Sequence, residues 1–373
     1  MVIKNLKIVL EDRIIDNGYL VFENGLIKEI GNGDFFGEAI DGEGNVAMPG
    51  FIDIHIHGSA GIDFMDAKEE EYKIVAESLY QEGVTTFMAT TLTSDRDSLA
   101  EVCKRVNKVK KDIPSLGGIH FEGPYINAKY KGAQNEKFIR NPDIREFDEL
   151  QKLSGNNIRY ITLAPENEGA LEFIEHVTKN GVTVSAGHSD ASFEQVMLAI
   201  NKGLTNTTHT HNAMSPHHHR KPGIVTAAFY FDELYTEFIC DTIHVCPNTL
   251  ATSYKIIGPE RFVMITDALR AKNSEMETFQ LFGLDCVKRD GAAYLTTGPL
   301  AGSLLTMDQG LRNMYHITGA SLIDLAKISS RNAAKALHFN DRGVIAVGKL
   351  ADIVLLDNSL HVVATYKEGK KVR

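Results

Sequence analysis

The chain is poor in cysteine, with only four among 373 residues, at positions 103, 240, 246 and 286. None of these pairs into a CxxC, so a zinc knuckle or a thioredoxin-like redox pair is not supported, and the four read as reduced thiols in or near the core. Positive charge is also short. Lys and Arg number 39 against 49 Asp and Glu, a net charge of −10 that argues against a sequence-independent grip on nucleic acid or on an anionic membrane. Long apolar runs are missing from the start, where Lys4, Lys7, Glu11, Asp12 and Arg13 interrupt what would otherwise resemble a signal peptide or a spanning helix. A cytoplasmic location is therefore expected. With 43% hydrophobic and 24% charged residues the composition excludes wholesale disorder, coiled coil and collagen, and a sizeable core is expected. The length allows two or three small domains or one large catalytic domain with an appendage.

Short β-rich runs come first: Val2 to Val9, Tyr19 to Phe22 and Leu26 to Ile30, separated by Asn17-Gly18, Asn24-Gly25 and Gly31-Asn32-Gly33. That spacing suits antiparallel hairpins. After Pro49-Gly50 the rhythm changes to apolar strands alternating with helices of 3.6-residue period, the pattern of parallel βα units. Eight strands are expected: Phe51 to His57, Val84 to Ala89, Leu116 to Phe121, Ile158 to Leu163, Val182 to Ala186, Thr205 to His209, Glu237 to Cys240 and Phe262 to Ile265. Between them lie helical stretches such as Ala67 to Glu82 and Ala170 to Asn180, each ending before a glycine suited to a left-handed cap. A doubly wound open sheet is the rival architecture. Polar residues of metal-ligand type follow strand after strand, which favours a closed (β/α)₈ TIM-type barrel with its site at the C-terminal mouth. A β insertion is expected near 270–300, then helices over Leu304 to His316 and Ser321 to Leu337. The tail from Gly343 to Asp357 and Val362 to Thr365 returns to strands. Residues 1–48 and 343–373 are expected to form a small β-sandwich domain from both termini, and residues 49–342 the barrel.

His55-Ile56-His57 closes the first barrel strand, and residues i and i+2 of a strand share a face, so both imidazoles can chelate one ion. Glu122 ends the third strand before Gly123-Pro124. A carboxylate beside imidazoles can ligate or bridge metal ions. His120, two residues earlier, reads as a packed support. His188 and His209 follow the fifth and sixth strands, and the five together offer nitrogen and oxygen ligands of hard and borderline character. Asp267, after the eighth strand, can take a proton from metal-activated water and return it to a leaving group.

Pro49-Gly-Phe-Ile-Asp-Ile-His-Ile-His57 and the tail G-x-I-x-x-G-K-x-A-D-x-V resemble the amidohydrolase superfamily. His120-Phe-Glu-Gly-Pro-Tyr125, Ala186-Gly-His-Ser189, Thr208-His-Thr-His-Asn-Ala-Met214, Thr266-Asp-Ala268 and Leu300-Ala-Gly-Ser303 resemble its amino-sugar-phosphate deacetylase branch, in order and over essentially the whole chain. The resemblance implies metal-assisted hydrolysis of the acetamide of a phosphorylated amino sugar, N-acetyl-D-glucosamine 6-phosphate, to the free amine and acetate. It implies that Glu122, His188 and His209 hold the principal metal, that His55 and His57 hold a second with Glu122 bridging, and that Asp267 is the general base and acid. One or two divalent ions per subunit are implied, with zinc, iron, manganese and cobalt all compatible with these ligands. Asn212, Ala213, Arg220 and His244 match positions that bind the sugar phosphate. Gln134 stands where relatives carry a histidine that contacts substrate near its acetyl group. In relatives the arginine reaches across a dimer interface, so a homodimer is implied. The run His217-His218-His219 reads as loop. The alternatives are a deacetylase of N-acetylgalactosamine 6-phosphate, a hydrolase of cyclic or other amides on the same metal site, and a catalytically silent scaffold.

Overall fold

The computed structural model describes residues 1–373. Eight parallel strands form the central sheet: β1 (Phe51–Ile56), β2 (Val84–Thr91), β3 (Leu116–Glu122), β4 (Ile158–Leu163), β5 (Thr183–Ala186), β6 (Asn206–Thr207), β7 (Tyr235–Ile239) and β8 (Phe262–Ile265). Each pairs with its sequence neighbours. The sheet then closes on itself. A parallel bridge joins Ile56 to Ala268, Asp267 N donates to His55 O at 2.8 Å, and the Thr266 hydroxyl donates to Asp53 Oδ2 at 2.6 Å. β1 to β3 are buried along their entire lengths, as expected of strands with side chains inside the barrel and helices outside.

The barrel expectation is borne out, with three local differences. The sixth strand is reduced to Asn206–Thr207, because the chain leaves the sheet before His209 and carries that residue on left-handed backbone (φ 31°). The stretch from Ser321 to Leu337 is two short helices, Leu322–Ala326 and Asn332–Ala336, around a π-type turn at Lys327–Arg331. Within and beside that wider turn Ser330 donates to the carbonyls of Pro49 and Gly50, and the Asn332 amide donates to Pro259 O and Phe262 O. These side chains tie the helix to the N-terminal ends of β1 and β8. Cysteines 103, 240 and 286 are buried free thiols as expected, but Cys246 is exposed.

Strands from both ends of the chain form one eight-stranded sheet, in which Val46–Pro49 lies between Val2–Val9 and Ile353–Leu356. Period-2 alternation explains how it docks. Ile353 and Leu355 point into a separate apolar core with Ile3, Leu6 and Ile8, while Val354 and Leu356 join the large barrel core. Four antiparallel strands, Thr278–Leu281, Leu284–Arg289, Ala292–Leu295 and Leu300–Ser303, make the insertion, whose last strand bridges back to Ala268. Gly83 (φ +85°) takes the left-handed cap; a Cβ there would meet Val354 and Phe51 at 2.8 and 2.9 Å. No helix is long and apolar enough to cross a membrane.

Candidate active site

The C-terminal ends of five barrel strands bring six side chains to one point. His55 lies in β1 and His57 just beyond it, Glu122 ends β3, and His188, His209 and Asp267 each follow their strand by two residues. Backbone at the last three is left-handed, with φ of 48°, 31° and 51°. Non-glycine residues adopt this region rarely, and here it turns each side chain back toward the barrel axis as the chain leaves the strand.

Glu122 is the hub. Its Oε1 lies 3.2 Å from His55 Nε2, 3.1 Å from His188 Nε2 and 3.0 Å from His209 Nε2, while Oε2 lies 3.3 Å from His57 Nε2. Asp267 Oδ1 is 3.2 Å from His57 Nε2 and 3.5 Å from His55 Nε2. Two triads of ligand atoms result, His55 with His57 and Asp267, and Glu122 with His188 and His209. All six residues are 8% exposed or less, so the charges interact with little screening. Burial opposes a charged Glu122, but His55 and the hydrogen bonds of His188 and His209 outweigh it and hold the carboxyl well below its ordinary range. For Asp267, burial again acts upward, and His55 and His57 bring the net value below the ordinary one. Asp267 is therefore ionised at neutral pH. Burial acts against the imidazolium forms of His55 and His57, and the two carboxylates override it, lifting His57 to about 9.

The donor set fits divalent cations. His188 and His209 turn their Nε2 atoms to 3.1 Å from one another and toward the same carboxylate oxygen, a convergence that favours a shared cation over direct pairing. Nδ1 of His188 donates to Tyr130 O at 2.8 Å, leaving the Nε2 lone pair for a ligand bond. Nε2 of His55 is buried without a hydrogen-bond partner.

Glu237 was not anticipated from the sequence. It is fully buried on β7, accepts from His55 Nδ1 at 3.1 Å and from the Tyr160 hydroxyl at 2.6 Å, and also accepts from His209 N at 3.2 Å. One carboxylate thus orients ligands of both triads. The signal was an acid inside the apolar run Tyr-Thr-Glu-Phe-Ile, where a charge needs a partner. His120 is buried between Thr90 and Thr162, with its ring 4.6 Å from that of His55, a supporting position beneath the cluster. Burial first, and then the neighbouring His55, hold it neutral.

Above the cluster the cleft is lined by Gln134, Asn212, Ala213 and His244, with Leu281 and Leu300–Gly302 from the β insertion. His244 is hydrogen-bonded to Asp241 at 2.6 Å; burial lowers its basicity, but Asp241 raises it above the ordinary value overall. Asn212 donates to His209 O at 3.2 Å. Gln134 spends both ends of its amide inside the protein, accepting from Thr93 N at 2.7 Å and donating to Glu122 Oε2 at 2.6 Å. Arg220 is not brought to this cleft. It is exposed, 2.7 Å from His219 Nε2, and lines a separate surface cavity with Lys129, Asp190 and Lys221. His217 to His219 lie in the same loop, as expected.

Residues 46–372 match the model of the amidohydrolase family. The N-acetylglucosamine-6-phosphate deacetylase of Lysinibacillus sphaericus is 39% identical over 89% of this chain and 87% of its own. The crystal structure of the enzyme of that name from Thermotoga maritima superposes with a TM-score of 0.93 at 36% identity, covering 100% of this chain and 99% of that one. A mutant of the Mycobacterium smegmatis deacetylase in complex with N-acetyl-D-glucosamine-6-phosphate has a TM-score of 0.95 at 28% identity, covering 100% and 99%.

Proposed function

The chain belongs to the amidohydrolase family, and from that premise we propose that it hydrolyses the acetamide of N-acetyl-D-glucosamine 6-phosphate, releasing acetate and D-glucosamine 6-phosphate. The observation that carries this reading is the set of five inward-turned residues around Glu122, beneath a cleft lined by Asn212, Ala213 and His244. Relatives that match nearly end to end bear this activity in their names.

Glu122, His188 and His209 would hold one divalent ion, and His55 with His57 a second. Such an ion polarises the amide carbonyl and lowers the pKa of water. Asp267, ionised and at the floor of the cleft, takes the proton from the attacking water and hands it to the sugar nitrogen as the C–N bond breaks. Glu237 and the Tyr130 carbonyl keep the imidazoles in the tautomers that leave Nε2 free. His244 supplies a donor with raised basicity toward the substrate, and Gln134 steadies Glu122 while closing one side of the cleft.

The position of Arg220 outside the cleft supports a homodimer in which Arg220 of the partner subunit meets the sugar phosphate, its planar fork suited to a phosphate group. Asp267→Asn tests the chemistry. The variant should retain its metal and lose turnover by 10²-fold or more, on the order expected for a general acid–base residue. Turnover near that of the unaltered enzyme would remove Asp267 from the role.

A further inference from the structure

At the opposite end of the barrel lies a cavity of about 550 Å³ that the deacetylation reading does not use. Its walls are Lys110 and Pro114 before β3, Leu116 and Gly117 at the start of β3, Arg159 at the start of β4, and two stretches of a later loop, 338–342 and 347–349. β3 runs from this cavity to Glu122, six residue steps or about 20 Å at the usual strand rise. A ligand here would not touch the catalytic cluster.

Four cations, Lys110, Arg159, Arg342 and Lys349, face this one space with a single carboxylate, Asp341. Asp341 is already engaged, accepting both Nε and Nη2 of Arg342 at 2.9 and 3.0 Å. Arg159 keeps a buried Nε with no hydrogen-bond partner, and Lys110 donates only to Leu116 O at 3.0 Å. The aromatic ring of Phe339 fixes the two guanidinium groups, with Arg159 and Arg342 at 5.6 and 5.2 Å from its centroid. Gly117 makes room for that ring, since a Cβ there would meet it at 3.2 Å. Burial first, and then Arg159, Arg342 and Lys367, push the Lys110 ammonium down to about 8. With Arg342 paired to Asp341, the cations Lys110, Arg159 and Lys349 face the cavity without a carboxylate partner, and a bound anion would offset their mutual repulsion.

We propose that this cavity is a second ligand site that binds a small, multiply phosphorylated metabolite. The fork of Arg159 suits phosphate oxygens, and the lysines add point charges around a volume larger than a single carboxylate fills. Selective binding to the folded chain stabilises it by mass action.

The test is calorimetric titration of the metal-loaded full chain with fructose 1,6-bisphosphate as probe, at fixed ionic strength. Saturable binding is expected, weakened about tenfold or more in Arg159→Met and in Lys110→Met, the loss of one charged hydrogen-bonding partner. Acetate-release kinetics of both variants should stay unchanged. Absence of binding to the unaltered chain, binding in both variants as tight as in the unaltered chain, or displacement of the probe by excess substrate would each overturn the proposal.

Discussion

His188, His209 and Asp267 each hold their side chains at a backbone cost, since left-handed conformation at a non-glycine residue costs on the order of 1–3 kcal/mol. The surrounding network over-determines them: His209 N is held by Glu237, and Asp267 N by His55 O. Residue types and their places after strands were legible in the sequence, because imidazoles and carboxylates at successive strand ends are the groups that metal binding and proton transfer use. The left-handed turns were not, since no glycine or asparagine marks them. Glu237 also escaped notice, because its role depends on Tyr160, His55 and His209, which are distant in the chain. Glu237→Gln should weaken metal retention 10–100-fold, the usual cost of losing a partner that orients a ligand. A competition titration against a chelator reads this directly, and unchanged affinity would deny Glu237 that part.

At the scale of elements, the buried pair Lys272–Glu82 links the loop after β8 to the turn before β2. Lys272 Nζ is 2.6 Å from Glu82 Oε1, and Glu82 Oε2 accepts from Met307 N at 2.7 Å, fastening the start of the helix Met307–Thr318. Burial lifts Glu82 to about 7 even against the pull of Lys272. A carboxyl whose folded pKa exceeds its unfolded value favours the folded state fully below about 4.5 and loses that contribution as pH rises through 7. Without Lys272 the ionised form would be buried and unpaired. Lys272→Met should therefore cost about 3 kcal/mol or more at pH 8 and distinctly less at pH 5, measured as denaturant midpoints. Equal cost at both values would mean that Glu82 does not titrate in this range. Most of the barrel strands were legible in sequence because strands buried on both faces read as continuous apolar runs, whereas the sixth, Asn206–Thr207, is polar and shorter than expected. The broken helix at Lys327–Arg331 was not, because its cause is tertiary: Ser330 and Asn332 reach backbone carbonyls of segments far away in sequence.

For the molecule as a whole, the two ends of the chain meet in one sheet whose strand Val46–Pro49 runs directly into β1 and so fixes the approach of His55 and His57. Pairing between the termini was foreseeable from β-rich composition at both ends, but strand order was not, because long-range register leaves no local signature. Arg220 marks the other limit. Its motif was readable, yet a single chain leaves it outside the cleft. The reaction proposed for this barrel mouth is metal-assisted hydrolysis of a phosphorylated acetamido sugar. Acetate release from N-acetylglucosamine 6-phosphate, beside the unphosphorylated sugar, on one preparation whose metal content is assayed before and after chelation, tests it most directly. Rapid turnover of the phosphorylated sugar alone, lost on chelation and restored by metal, is the expected result. Comparable rates on the unphosphorylated sugar, or turnover that survives complete removal of metal, would contradict it.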